Sequence, residues 1–443
     1  MDIFYSIKRL IYSLYQKGLI FLLYISCLVN IPLLAAVILK ISLYKNKKIR
    51  EKKNKKKAVI IVKSGGVADV ESAFHNKISN VEIFFFNRKF LIFILEFFLK
   101  KKIYDIELFL KKNRDSKSYY DYEKFMSQTI RYFKILLGNF SFFSFNFIYH
   151  DEYVLHKICK LNQINFNIIY KEGIHTKIQS IVKFDLFKRV IKELPLKINK
   201  LFCYNKNIYT LLLKNKLVIK KQIILGGCSR SYFSYLIRKK KDKNKNILFY
   251  FIDANAGKPD IFFKYIKKDK KIINTSKLVD FKKINLEILI ILNKLSYKYE
   301  NINFSIKSKT GHSSKILQKL SIRYPNSRLK FYFGGDGYAL LKENNFVIGL
   351  NSTAILEAFV ANKECAVPIF HNLHKRKFED YFHYYNKDML VLNKDMLKNK
   401  IVSFIEDNKN YTKNNNIMDK MIKQTMGNIL ETPKKLKKFI ENN

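Results

Sequence analysis

Residues 344–370 read NNFVIGLNSTAILEAFVANKECAVPIF, and this stretch contains a complete strand–helix–strand unit. Its pattern predicts a strand that ends at Leu350, a helix over residues 352–362 and a second strand from Glu364. Strands that alternate with helices form parallel sheets, because each crossover helix returns the chain to the same edge. The stretch therefore predicts an α/β domain of the Rossmann-like kind.

The same alternation extends outward along most of the chain. The charge run RKKKDKNKN at residues 238–246 separates two series of short apolar runs and is typical of a solvated linker. We therefore predict two Rossmann-like domains at residues 58–237 and 238–400, with a cleft between two facing sheets, and a lysine-rich helical tail at 401–443. The predicted strands are 58–62, 81–86, 145–150, 165–170 and 222–225 in the first domain, and 247–253, 303–309, 328–334, 345–350 and 364–370 in the second.

The charge of the chain narrows the class of partner. With 84 Lys and Arg against 36 Asp and Glu, the formal net charge of the 443 residues is +48. The lysines are spread along the whole chain and form no stripe interleaved with aromatics, so nucleic acid is not the expected partner. Attraction to anionic lipid or to a phosphorylated substrate fits the same charge. The five cysteines form no C-x-x-C pair, which argues against a zinc site or a disulfide framework.

Near the N-terminus, residues 18–39 contain no charged side chain, and a helix of this length would span about 30 Å of hydrocarbon. A basic run over residues 40–57 follows, which places the rest of the chain on the cytoplasmic side of the inner membrane. We predict a membrane-associated helix, most simply a single membrane anchor, within residues 1–57. Two alternatives stay open: a re-entrant hairpin turning at Asn30 and Pro32, or a buried core helix. Residues 90–102 are too short to span and predict a core helix or an amphipathic helix on the membrane surface.

The segment Asn351, Ser352 and Thr353 opens the predicted helix of the quoted stretch. A helix start offers unpaired backbone N–H groups and the positive end of the helix dipole, which together suit a phosphate. Glu357, one turn further along, could accept hydrogen bonds from a ribose. The alternative is ordinary N-capping, with Glu357 as a solvated helix residue.

The quoted stretch resembles the nucleotide-binding half of GT-B glycosyltransferases that build bacterial surface polysaccharides, and its Ser352 and Thr353 match their Ser-Thr motif. Upstream, IIYKEGIHTK at residues 168–177 resembles the acidic Glu/Asp-Gly motif of bacterial sialyltransferases and related Kdo-type sugar-acid transferases. The resemblance implies that Glu172, followed by Gly173, is the catalytic general base. Lys171 stands where those families have another acidic residue.

Two further motifs extend the resemblance to about residues 58–400. Those families carry a His-Pro that contacts the donor phosphate after a strand of the second domain. Here His312 is present, but Ser313 replaces the proline, and Lys307 and Lys309 could bind the phosphate instead. ILGGCSR resembles the G-x-x-R turn that ends the first domain of many polysaccharide transferases, and its matching residues are Gly227 and Arg230.

The resemblance implies an inverting glycosyltransferase, which needs a base for the acceptor hydroxyl and a dipolar site for the departing phosphate. No D-x-D occurs in the chain, so we expect no metal site and a metal-independent transfer. The expected donor is a nucleotide-activated sugar, a CMP-linked sugar acid first and a UDP-sugar second. The expected acceptor is a lipopolysaccharide or capsule glycan, or a lipid-linked precursor. A CDP-glycerol-type polyol-phosphate transferase and a non-catalytic membrane-bound assembly factor remain alternatives.

Other residues at predicted strand ends are weaker candidates for the cleft. Gly65 and Gly66 form a strand–glycine–helix turn, and Asp69 and Glu71 follow in the helix; a tight turn with acids at a helix start explains them equally well. Gly335 and Asp336 lie in a glycine-rich loop before the Ser-Thr helix and could contact the base or ribose. The segment His150-Asp151-Glu152, with His156, has metal-ligand residue types but is explained more simply by helix capping.

Overall fold

The computed structural model describes residues 2–52, 56–62, 66–100, 116–147, 150–170, 196–238, 244–251, 281–308, 312–324, 327–335, 337–349, 353–371, 389–407 and 415–443. These residues divide into two compact units. The first contains the described residues up to 230 and again those from 430 to 443, and the second contains the described residues between 231 and 429.

Helices and strands alternate through most of the first unit up to residue 230. In chain order they are α1 (Asp2–Leu28), α2 (Pro32–Ile41), β1 (Arg50–Glu51), β2 (Lys57–Val62), α3 (Val67–Ala73), β3 (Ile78–Ser79), β4 (Glu82–Asn87), α4 (Lys89–Leu99), α5 (Lys117–Leu137), β5 (Phe140–Ser144), α6 (His150–Leu161), β6 (Asn165–Tyr170), β7 (Leu201–Cys203), α7 (Lys206–Lys214) and β8 (Ile223–Leu225).

The second unit follows, and the chain then returns to the first. Its elements are α8 (Ser231–Arg238), β9 (Ile247–Tyr250), α9 (Phe281–Lys298), β10 (Phe304–Ser308), α10 (His312–Ser321), β11 (Leu329–Phe333), α11 (Gly337–Glu343), β12 (Phe346–Ile348), α12 (Thr353–Val360), β13 (Glu364–Pro368), β14 (Leu390–Val391), α13 (Lys394–Glu406) and α14 (Asn415–Met426); the returning helix is α15 (Thr432–Asn442).

The main sheet of the first unit has the strand order β4-β2-β5-β6-β7-β8, and every neighbouring pair is parallel. Its strands are nearly continuous apolar runs, as expected for a parallel sheet covered on both faces. The strand predicted at residues 145–150 is wrong, because the chain pairs through Phe140–Ser144 instead and residues 145–147 already lie in the loop before α6. Two equally aromatic runs follow one another there, and composition alone does not choose between them.

The sheet of the second unit has the order β11-β10-β9-β12-β13-β14, again parallel throughout. Numbered by position in the chain this is 3-2-1-4-5-6, the order of dinucleotide-binding folds, while the first sheet is 2-1-3-4-5-6, an extended flavodoxin-like order. The prediction of two Rossmann-like α/β domains is therefore confirmed.

The C-terminal helix α15 packs on the first sheet. The ring of Phe439 lies 5.8 Å from that of Phe143 and 5.5 Å from that of Phe202, measured between centroids. Thr432 donates a hydrogen bond of 2.9 Å from its hydroxyl to the carbonyl of Gly226. The predicted tail 401–443 is thus divided between the two units, because α15 buries an aromatic face that the first sheet exposes.

The uncharged run at residues 18–39 does not form one helix. Asn30 has a positive φ of 54° and Pro32 is the first residue of α2, so the chain turns back between α1 and α2. The hydroxyl of Tyr15 donates to the carbonyl of Ile41 at 3.2 Å, which shows that the two helices are antiparallel. Within the part of the chain that the structure describes, no helix has both the length and the apolar character needed to cross a membrane. Because residues 18–39 are divided between α1 and α2, they do not form the one continuous helix that a single spanning anchor was predicted to need, and the turn lies at Asn30 and Pro32, as in the hairpin alternative.

Helix α4 covers most of the second apolar stretch, residues 90–102. Its residues Phe90, Leu91, Ile94, Leu95 and Leu99 are buried, so its main apolar face belongs to the core of the first unit. The helix ends at Leu99, and the next residue, Lys100, has a left-handed backbone conformation.

Candidate functional sites at the sheet edges

In the second unit, the connections of the sheet diverge between β9 and β12. These strands are paired in parallel, but the chain leaves β9 toward β10 and leaves β12 toward β13. Open α/β sheets bind ligands in the crevice at the carboxyl ends of such strands. Thr353 begins α12 directly beyond this point. Asn351 and Ser352 lie outside the described residues.

Gly349 allows α12 to start close against the sheet. A Cβ at this position would come 2.8 Å from Cδ1 of Ile355 and 3.4 Å from Cβ of Tyr250. Its N–H also donates to the carbonyl of Ala366 at 3.1 Å. The residue that follows β12 is therefore enclosed by the helix and the two neighbouring strands, and only a residue without a side chain fits without displacement.

Lys307 is buried at the carboxyl end of β10 and holds a glycine loop. Its Nζ donates to the carbonyls of Gly334 at 2.9 Å and Gly335 at 3.0 Å. Both glycines have positive φ angles, 97° and 85°, which other residues adopt only with strain. The side chain that the sequence suggested for phosphate binding is thus engaged in fixing the loop before α11. The hydroxyl of Tyr250 supports the same region, 3.5 Å from the carbonyl of Gly337.

Ser308 is a functional candidate that sequence analysis did not find. It is the last residue of β10, its side chain is buried, and its Oγ has no hydrogen-bond partner among the described residues. A buried hydroxyl left unpaired costs about 1–3 kcal/mol, so such groups are uncommon unless a ligand completes them. The neighbouring lysines were predicted to bind phosphate because they are charged. A serine at the end of an apolar strand has no such feature in the sequence.

Of the remaining predicted residues of the second unit, some lie within the described residues and some do not. His312 is the first residue of α10, and Glu357 is half-buried in α12. Gly335 is part of the loop held by Lys307. Lys309 and Asp336 lie outside the described residues.

In the first unit, the corresponding divergence lies between β2 and β5. Gly66, which precedes α3, approaches Phe145 so closely that a Cβ would come 2.2 Å from the edge of the ring. The glycine therefore permits the turn after β2 to close over the turn after β5. Gly65 lies outside the described residues.

Asp69 is fully buried and ties α3 to two other strand ends. Its Oδ1 accepts hydrogen bonds from the Tyr204 hydroxyl at 2.7 Å and from the Arg230 backbone N–H at 3.2 Å. Burial, together with the nearby Asp69 carboxylate, raises the pKa of Tyr204 well above its ordinary value. The hydroxyls of Ser72 and Ser229 add a contact of 2.7 Å. Asp69 thus connects α3 to the turns after β7 and β8.

Two other predicted residues of this unit have contacts or conformations that the structure defines. Glu71 accepts hydrogen bonds from the Asn46 amide at 2.7 Å and from Lys48 Nζ at 3.4 Å, so it faces the basic segment after α2. Gly227 has a φ of 116°, a conformation that favours glycine in the turn before Arg230.

A buried ionic cluster lies at the ends of β4 and β5, and the sequence did not predict it. The Arg88 N–H donates to the Val62 carbonyl at 3.0 Å, and its guanidinium forms a bidentate pair with Asp151, in which Nε lies 2.6 Å from Oδ2. Glu152 lies 3.5 Å from the same guanidinium. Breaking a buried pair of this kind typically costs about 3–5 kcal/mol.

His156, another residue whose type suggested a metal, is buried in α6. Its Nδ1 accepts a hydrogen bond of 3.1 Å from the Lys197 backbone N–H, and burial is the main cause that lowers its pKa to about 3. Among the described residues, no three His, Cys, Asp or Glu side chains are grouped so that they could hold a metal ion.

The predicted base, Glu172, and its neighbours Lys171 and Gly173 lie outside the described residues. Strand β6 ends at Tyr170, as the sequence predicted, and β6 is the strand next to β5. The role of Glu172 therefore stays a prediction.

By the order of their strands, these are two doubly wound, parallel α/β units. No known protein family matches the sequence, and no curated protein matches it either. Among solved structures, the wall teichoic acid polymerase TagF soaked with CDPG is 8% identical, and the match covers 97% of each chain with a TM-score of 0.47. The S. aureus MnaA–UDP complex is 13% identical, over 88% of this chain and 97% of that one, with a TM-score of 0.46.

A third similar structure is Anabaena Alr3699/HepE with UDP and glucose. It is 10% identical, over 87% of this chain and 97% of that one, with a TM-score of 0.38. All three TM-scores are below 0.5, so no functional conclusion follows from these matches, and the function of this chain has to be inferred from its own residues.

Proposed function

We propose that the chain is a glycosyltransferase that transfers a sugar from a nucleotide donor to a glycan or lipid-linked acceptor. The observation that carries the proposal is the carboxyl edge of the second sheet. There the hydroxyl of Ser308, which has no partner among the described residues, and the start of α12 lie on either side of β9. With strands about 4.8 Å apart, the two are roughly 10 Å from each other. That width suits an extended phosphate-containing ligand such as a nucleotide better than a single inorganic anion.

The chemistry of this edge suits the leaving group of a glycosyl transfer. The N–H groups at the start of α12 and the hydroxyls of Ser352 and Thr353 would stabilise negative charge as it develops on the phosphate. Gly349 supports this assignment, because it holds the helix start against the strand.

In the proposed reaction Glu172 is the general base. The acceptor hydroxyl oxygen attacks the anomeric carbon and loses its proton to the Glu172 carboxylate, while the bond to the donor phosphate breaks and its electrons leave with the phosphate. A single displacement inverts the anomeric configuration. The assignment of Glu172 rests on the resemblance of residues 168–177 to sugar-acid transferases.

The donor that we propose first is a CMP-activated sugar acid, with a UDP-sugar second. A CDP-glycerol-type donor would place the same phosphate at the same helix start. Thermal unfolding in the presence of CMP, UDP, GDP and CDP compounds separates these donors, since a ligand that binds the native state raises its stability. No rise with any of them would contradict the proposed donor site.

The donor site is tested by Ser352→Ala with Thr353→Ala, measured by calorimetric titration of the nucleotide that gives the largest shift. We expect binding weaker by about 1–3 kcal/mol, the scale of two hydrogen bonds to a charged group. Ser321→Ala is the matched control. It also removes a serine hydroxyl, but this one lies at the C-terminal end of α10 and donates to the Gln318 carbonyl at 2.8 Å. Equal affinity in the double variant and the control would exclude the helix start as the donor site.

The base is tested by Glu172→Gln. We expect turnover to fall at least about a hundredfold with the donor affinity nearly unchanged, because the amide cannot accept the proton. Glu123→Gln is the matched control, since Glu123 is not a site candidate and pairs on α5 with Lys157 of α6 at 2.7 Å. Wild-type turnover in Glu172→Gln would show that the base lies elsewhere.

A further inference from the structure

Helix α1 has two apolar faces. Leu19, Leu23 and Cys27 are buried, whereas Leu14, Phe21 and Leu28 are exposed by 57%, 62% and 62%. The exposed residues are spaced by seven, which is close to two full turns, so they form one stripe along the helix, apart from the buried face. An ordinary surface helix would present polar residues there.

The stripe continues over the turn of the hairpin. Val29, Ile31 and Leu33 are each about half exposed, so the exposed apolar surface runs without a charged residue from Phe21 to the start of α2. Contiguous apolar surface of this kind marks a binding surface rather than scattered exposed residues.

The surroundings of this surface carry charge of one sign. Lys17 and Lys40 are exposed near the open end of the hairpin, and Lys47, Lys48 and Arg50 are exposed just beyond α2. No Asp or Glu occurs between residues 3 and 50. An apolar stripe bordered by lysines fits an anionic bilayer, in which the apolar side chains enter the acyl region and the lysine heads remain among the phosphates.

We propose that the α1–α2 hairpin docks on the surface of an anionic membrane without crossing it. The stripe Leu14, Phe21 and Leu28 lies about 5–10 Å deep in one leaflet, with the helix axis near the plane of the membrane. A second copy of the chain is a poorer occupant, because the same surface on a partner copy offers no Asp or Glu between residues 3 and 50 to pair with the bordering lysines. The proposal is independent of the donor chemistry.

The test is flotation of the full-length protein with vesicles of phosphatidylcholine alone or with about 30% phosphatidylglycerol. We expect binding to the anionic vesicles that weakens as salt is raised from about 50 to 500 mM. Phe21→Glu with Leu28→Glu should lower the fraction bound at least about tenfold, because charge is excluded from the acyl region. Since both side chains are exposed, the variant should keep the wild-type melting temperature.

Leu161→Glu is the matched control, since it places the same charge on a leucine of the first unit that is 69% exposed on α6. This control should bind vesicles like the wild type. Equal vesicle binding by the double variant and the control would overturn the proposal. A second outcome would also overturn the proposal: the wild type does not bind vesicles and sediments as a dimer, whereas the double variant sediments as a monomer. The surface would then be an interface between copies.

Discussion

Ser308 is the residue at which stability and binding should respond in opposite directions. Its hydroxyl is buried at the end of β10 without a partner among the described residues, so in the unliganded protein it costs free energy. Ser308→Ala should leave the free energy of unfolding unchanged or raise it by up to about 1 kcal/mol, and should weaken nucleotide binding by about 1 kcal/mol or more. Urea unfolding and calorimetric titration of the same samples measure both. A variant that loses stability but keeps its affinity would show that the hydroxyl has a structural partner instead.

His156 gives the first unit a defined sensitivity to acid. Its pKa is about 3 in the folded protein and about 6.5 in an unfolded chain, so between these values the unfolded state binds the extra proton and stability falls as the pH falls. Between pH 7 and pH 5 this amounts to about 2 kcal/mol. In His156→Gln, which keeps a hydrogen-bond acceptor but does not titrate, the loss of unfolding free energy over that interval should be smaller by this amount. An identical pH dependence in both proteins would contradict the assignment.

Sequence analysis found single site residues that are charged or belong to a glycine motif. It missed residues whose role depends only on their being buried in the fold. Lys307 was expected at the ligand, but its charge is used on the carbonyls of Gly334 and Gly335. Asp151 looked like a helix cap, yet its partner Arg88 is 63 positions away in the sequence. Sequence distance hides such pairs, because only the order of the strands brings β4 and β5 within two positions of each other.

At the scale of elements, the approach of α12 to β12 is set by one glycine and one isoleucine. Gly349→Ala should displace the start of α12, lower the free energy of unfolding by about 1–3 kcal/mol and weaken nucleotide binding. The nearest atom to the added methyl is Cδ1 of Ile355 at 2.8 Å, and Ile355→Val removes that atom. The double variant should therefore recover part of the loss.

A double-mutant cycle in urea and by titration measures this coupling. Ile355→Val alone should cost about 0.5–1.5 kcal/mol. Simple additivity of the two substitutions would mean that the contact with Ile355 is not what excludes a side chain at position 349.

Most strands were predictable from the sequence because they are continuous apolar runs bounded by polar turns. The N-terminal helix pair was predicted only as the alternative to a single anchor, with its turn at Asn30 and Pro32. An apolar run of this length satisfies the criteria for a spanning helix and for a hairpin equally well. The choice depends on what α1 and α2 pack against, which the run itself does not encode.

At the scale of the whole molecule, α15 packs on the first unit although it is the last helix of the chain. A substitution in α15 should therefore destabilise the first unit and not the second. Phe439→Ala removes a buried ring that contacts Phe143 and Phe202, and should cost about 3–5 kcal/mol. Hydrogen exchange should accelerate in β5 and β7 and remain unchanged in β9 and β12.

Phe404→Ala is the reciprocal control. Its ring lies 5.1 Å from Phe346 in the second unit, so its loss should accelerate exchange in β12 and leave β5 unchanged. If Phe439→Ala loosened both sheets equally, the two units would not be separate folding units.

The same return of α15 has a consequence for synthesis of the protein. During translation, the strands of the first sheet leave the ribosome by residue 225, but the helix that covers Phe143 and Phe202 follows some two hundred residues later. At about 5–20 residues per second the nascent first unit waits roughly ten seconds or more with an uncovered aromatic surface. A chaperone that binds nascent chains would find its target there, and premature termination anywhere in the second unit would leave that surface permanently uncovered.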